Sequence, residues 1–180
     1  MSDAATTTTA LPGEIGIAPG RWTVDPSAGH LAFMVKTMWG LVAVKGSFSR
    51  FAGFLTVADG AVSGELTIEA ASLDTKNAMR DKHLRSADFF DVDGHPTITF
   101  SPASVSARDG GLTISGELTV GERSVTLDLP VSLEQTASGA LRLSTHAHVT
   151  RESLALTWNR LGMIRGQAHL DADIELVPAV

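Results

Sequence analysis

At 180 residues, with 43% hydrophobic and 19% charged residues, the chain fits one globular domain with a sizeable core. Its formal net charge of −6 argues against a nucleic-acid partner and against a generally basic membrane-docking surface. The lack of cysteine excludes disulfides, thiolate catalysis and cysteine-ligated zinc. Residues 1–20 read as a flexible tail ahead of a domain over residues 21–180. The first ten are small and polar; the next ten hold two prolines and three glycines and form an extended arm. The start has neither a basic n-region nor an apolar h-region, and no run is long enough to span a bilayer, so the expected setting is the cytoplasm.

From Trp22 onward the chain alternates. Trp22 to Asp25 make a short strand that ends at Pro26. Leu31, Phe33 and Val35 then share one face, and Val44, Gly46 and Phe48 continue beyond a bend at Trp39-Gly40. Phe54 to Val57 are extended, and Asp59-Gly60 turns the chain. Val62, Gly64, Leu66 and Ile68 oppose Ser63, Glu65, Thr67 and Glu69. Past residue 100, Leu112 to Val120, Val125 to Leu133, Leu141 to Val149 and Ala168 to Leu176 each repeat the period of two. Pro130 within such a run requires an edge or a bulge. About eight strands with short turns imply an all-β, antiparallel protein, either a closed barrel or a sandwich.

Alternation stops over residues 72–100. Asn77 suits the cap of a helix of about two turns, with Asp81 near its start and Arg85 near its end. Leu73, Met79, Leu84, Phe89 and Phe90 follow no β period, so the segment reads as an insertion closing one end, with Phe89 fully buried. Lys76, Arg80, Lys82 and Arg85 interleave with Asp74, Asp81 and Asp88. This pattern favours mutual pairing over capture of a phosphate or carboxylate headgroup.

The same insertion carries a family resemblance. Arg80-Asp81-x-His83-Leu84-Arg85-Ser86-x-Asp88-Phe89-Phe90-Asp91, followed by Pro96-Thr97-Ile98-x-Phe100, resembles the signature of the YceI family. Trp22 to Asp25 with His30, Val44-x-Gly46-x-Phe48, and Gly116 to Thr119 with Val125 to Leu127 extend the likeness to roughly residues 22–177. Members are lipocalin-like barrels that bind polyisoprenoids or related long-chain lipids. The resemblance therefore implies an eight-stranded antiparallel lipocalin-like barrel with a short helical insertion. It also implies an apolar lipid as partner and a homodimer, for which residues 154–164, rich in Trp, Met and Leu, offer a patch. The chain departs from the family at Thr37, where a histidine is common, and after Arg151, where Leu154 and Ala155 replace Phe-Gly.

Small residues on the inner face (Gly46, Gly64, Gly116, Ala70, Ala147, Ala168, Ala172) leave room for a cavity. Its expected ligand-binding lining is Phe33, Val35, Phe48, Phe54, Leu66, Ile68, Met79, Phe89, Phe100 and Leu118, and a large side chain at Gly64 or Ala172 is expected to fill it. No Gly-x-Ser-x-Gly elbow occurs, so binding without catalysis is favoured over a barrel enzyme acting on a lipid or isoprenoid. His146, His148 and His169 fall on solvent faces and read as surface polar residues, with no metal or cofactor expected.

Overall fold

The computed structural model describes residues 17–37, 42–58, 61–108, 111–150 and 164–179. The elements run β1 (Gly20–Thr37), β2 (Val42–Phe48), β3 (Phe51–Ala58), β4 (Ala61–Glu69), β5 (Leu73–Asp74), α1 (Ala78–Arg85), β6 (Thr97–Arg108), β7 (Gly111–Val120), β8 (Arg123–Gln135), β9 (Leu141–Thr150) and β10 (Ile164–Pro178). A 3-10 turn, Ala70–Ser72, links β4 to β5. Eight strands close a ring in the order β1, β3, β4, β6, β7, β8, β9, β10 and back to β1, with every pairing antiparallel.

β1 makes this closure possible by serving two neighbours on one edge. Its first four residues pair with β3. After an irregularity between Asp25 and His30, Leu31 to Thr37 pair instead with β2. β2 in turn carries the two-residue β5. The Trp39-Gly40 bend and the patch at residues 154–164 lie outside the described residues. The packed chain starts before the expected boundary at residue 20, because Ile17 is only 4% exposed and the Trp22 indole donates to the Ala18 carbonyl at 3.1 Å.

Much of the buried core comes from one end of the barrel. Trp22, Leu55, Val57, Val62, Val105, Leu141 and Leu176 come from strand ends that converge there, and they form one buried cluster with Ile17. Leu31 and Phe51 extend the same cluster toward the other end. The insertion lies at the opposite end, between the close of β4 and the start of β6.

Besides the four-pair contact of β1 with β3, two ladders are incomplete, and both stop near a proline. β4 pairs with β6 only from Leu66 to Glu69, and β6 is irregular just beyond, between Pro102 and Ser104. β8 pairs with β9 only from Val131 to Gln135. Pro130 has no N–H to extend that ladder, so residues 123–130 form a local edge inside an otherwise interior strand. The Thr145 hydroxyl donates to the Pro130 carbonyl at 2.7 Å where the ladder ends. Beyond it the two strands meet through side chains, with Leu127 and Val149 buried against each other.

The insertion is held by a compact polar knot. The Asn77 carboxamide oxygen accepts from the Arg80 N–H at 3.0 Å and caps α1. Asp81 is 6% exposed and accepts from the Thr75 N–H at 2.9 Å and the Thr75 hydroxyl at 2.5 Å. Arg80 donates to the Thr75 hydroxyl and carbonyl at 2.8 and 2.7 Å. Arg85 donates to the Ala71 carbonyl at 3.0 Å and to that of Leu73. These arginines therefore clamp backbone carbonyls and do not pair with the aspartates as the charge pattern suggested. Lys76 does pair, at 2.5 Å from Asp74, and its hydrogen bonds hold the Asp74 carboxyl below its ordinary range. Asp81→Ala strands the buried Thr75 donors, so it should cost about 1–3 kcal/mol in urea melts. An unchanged midpoint would show that water replaces the carboxylate.

Candidate functional site

Alternation turns one face of every barrel strand inward, and those faces leave a space that runs from Ile17, Val62 and Leu176 of the buried cluster to Phe89 and Phe90 of the insertion. They enclose a cavity of about 490 Å³. Phe33 and Val35 come from β1, Phe48 from β2, Leu66 and Ile68 from β4, Phe100 from β6 and Leu118 from β7; Phe89 enters from the insertion. Leu84 and Phe90 also line the cavity, although no periodicity marks them, because helix and turn geometry orient them. Phe33, Phe48 and Phe90 form a continuous aromatic run, with ring centroids 5.7 and 6.2 Å apart.

Three expectations need correction. Met79 is 84% exposed and does not line the cavity, because it projects from the outer face of α1. Phe54 borders the cavity, but it alternates with buried Leu55 and turns its ring outward, where the Arg21 guanidinium stacks on it at 4.0 Å. Phe89 is only partly buried, with its ring edge-on to His83 at 4.7 Å.

The inner-face glycines do not supply the space. A Cβ on Gly46 would lie 2.5 Å from the Phe33 ring, and one on Gly116 would lie 2.6 Å from the Phe100 ring. Each phenyl ring lies over a glycine on the adjacent strand and fills the room that the glycine leaves. A Cβ on Gly64 would collide with the Phe54 carbonyl oxygen, which is a backbone contact within the β3–β4 ladder. Gly64→Phe therefore disrupts the sheet before it fills anything. Ala70 lies in the 3-10 turn, off the barrel wall. Ala168 and Ala172, by contrast, face the cavity.

The lining is aliphatic and aromatic apart from a few groups. Arg80 and His83 stand on the insertion side. Glu65 and Asp171 border the wall but are engaged elsewhere: Glu65 accepts from the Thr67 hydroxyl at 3.0 Å, and Asp171 faces His146 at 2.8 Å. Among the described residues no three His, Cys, Asp or Glu side chains converge as a metal cage. Among those residues, too, no helix is long and apolar enough to cross a membrane.

This geometry defines a closed antiparallel barrel built around an apolar cavity. The chain belongs to the YceI family: the model of the YceI-like domain matches residues 22–176. A UPF0312 protein of Pseudomonas aeruginosa is 36% identical over 104 residues, covering 55% of this chain and 54% of that protein. The chain thus spans about half the length of that relative. A UPF0312 protein of Vibrio parahaemolyticus is 30% identical over 137 residues, covering 72% of this chain and 69% of the relative.

Among solved structures, BcnA of Burkholderia cenocepacia superposes with a TM-score of 0.73 at 19% identity, covering 84% of this chain and 98% of its own. A polyisoprenoid binding domain from Saccharophagus degradans, implicated in plant cell wall breakdown, also gives 0.73, at 13% identity, covering 88% and 98%. At these identities the two structures establish the shared barrel.

Proposed function

We propose that the protein binds a long-chain apolar lipid, foremost a polyisoprenoid, inside the barrel and carries it unaltered. The observation that carries this reading is the cavity of about 490 Å³ whose walls are almost wholly aliphatic and aromatic. Apart from Arg80 and His83 on the insertion side and the engaged Glu65 and Asp171, the walls offer no charged group, so the interior accepts hydrocarbon and a polar headgroup stays near Arg80 and His83. Each buried methylene contributes up to about 0.8 kcal/mol, so ten of them supply several kcal/mol before ordering costs. The description of the Saccharophagus degradans domain as polyisoprenoid binding supports the ligand class.

Mass spectrometry of an organic extract of the purified protein tests this. The expected result is an intact long-chain lipid, isoprenoid in its fragmentation. An extract free of lipid, from a protein that also fails to take up a fluorescent lipid probe, would refute binding. Conversion of added lipid to a new product would move the protein to the enzyme class.

A further inference from the structure

The outer wall places three metal-binding side chains in one row. His148 of β9 and His169 of β10 are direct register partners, and Met34 of β1 is the partner of His169 on its other side. All three point away from the cavity, since Ala147 and Val149 beside His148 are buried and Phe33, Val35, Ala168 and Leu170 line the inner wall. The two imidazoles are already in contact, with ring centroids 4.5 Å apart and planes at 76°. In the next row His146 faces Asp171 at 2.8 Å, which occupies that imidazole separately.

From this row we infer a copper site on the outer wall, with His148 and His169 as ligands and the Met34 thioether completing the set. Two imidazoles on adjacent strands reach one ion with only side-chain rotation. Imidazole with thioether is a donor set that copper accepts in both oxidation states, and among divalent ions copper binds nitrogen donors most tightly. The charge beside the row is largely balanced, so the donor set and not a local field carries the assignment. Asp171, Asp173 and Glu175 lie along the same face of β10, answered by Arg142 at 3.3 Å from Asp173 and 3.7 Å from Glu175 and by His146. Lys45, the register partner of Met34, stands at the far end of the row from His148. The site is independent of the lipid cavity, because the β-sheet wall separates the two.

The test uses full-length, untagged protein stripped with EDTA and titrated calorimetrically with copper(II) chloride and, separately, zinc chloride. One copper per chain is expected, bound more tightly than zinc, with nitrogen hyperfine structure from two imidazoles in the electron paramagnetic spectrum. His148→Asn and His169→Asn should each weaken copper binding by roughly tenfold or more, since even indirect partners of a ligand change metal affinity on that scale. His146→Asn should leave it unchanged. Lipid-probe uptake confirms that each variant is folded. Parent-like copper binding by the His148→Asn/His169→Asn double variant would overturn the assignment. So would a loss that follows His146, or zinc binding as tightly as copper.

Discussion

Ala172→Trp should nearly abolish uptake of a fluorescent lipid probe while circular dichroism still reports a folded barrel. Ala172 lies on β10 between its register partners Leu31 and Thr145 and faces the cavity. An indole there occupies space that ligand carbons would otherwise fill. Displacing only two methylenes removes about 1.6 kcal/mol, already more than tenfold in affinity. Over-packing of the wall should itself cost about 1–3 kcal/mol, so a urea melt accompanies the binding assay. A folded variant that takes up the probe as well as the parent would show that the ligand does not enter this cavity.

Leu73→Ala should be among the most destabilising single truncations, by about 2–5 kcal/mol. Leu73 is 0% exposed, in the two-residue strand β5 that pairs with the end of β2. Its carbonyl accepts from Arg85, so the side chain and backbone of one residue anchor the insertion to the barrel. The vacated volume cannot collapse easily, because ladder pairing on one side and the Arg85 clamp on the other hold the backbone in place. Urea midpoints with an unchanged slope give the loss directly. A change below about 1 kcal/mol would show that α1 moves in to fill the space.

The barrel wall was legible because a single physical rule generates it. Where an inward apolar residue alternates with an outward polar one, as in β7 and β10, pattern and structure coincide residue by residue. The rule failed where neighbouring strands intervene. A glycine at an inward position suggests vacant space, but Gly46 is covered by the ring of Phe33 and Gly116 by that of Phe100. That information lies in cross-strand register, which no single strand displays. Phe54 misled for the opposite reason: an aromatic in a strand suggests an inward anchor, but its parity with Leu55 turns it out toward Arg21. In the insertion, no period separated Met79, which is exposed, from Leu84, which lines the cavity; only the packing of α1 decides that. The arginine clamps were hidden too, because carbonyl acceptors leave no trace in a sequence.

The halt of the β8–β9 ladder at Pro130 has a mechanical consequence. Around most of the circumference, prising the wall apart breaks backbone hydrogen bonds in series. Beyond Pro130, on the side toward the insertion, the two strands are joined by apolar contact centred on Leu127 and Val149. Such contact has no preferred direction, unlike a hydrogen bond, and it is replaced without loss when a hydrocarbon chain slides between the same side chains. The barrel therefore has a seam held by apolar side chains in place of a backbone ladder, with its free strand edge left to water, and its position is set by one residue that cannot donate a hydrogen bond.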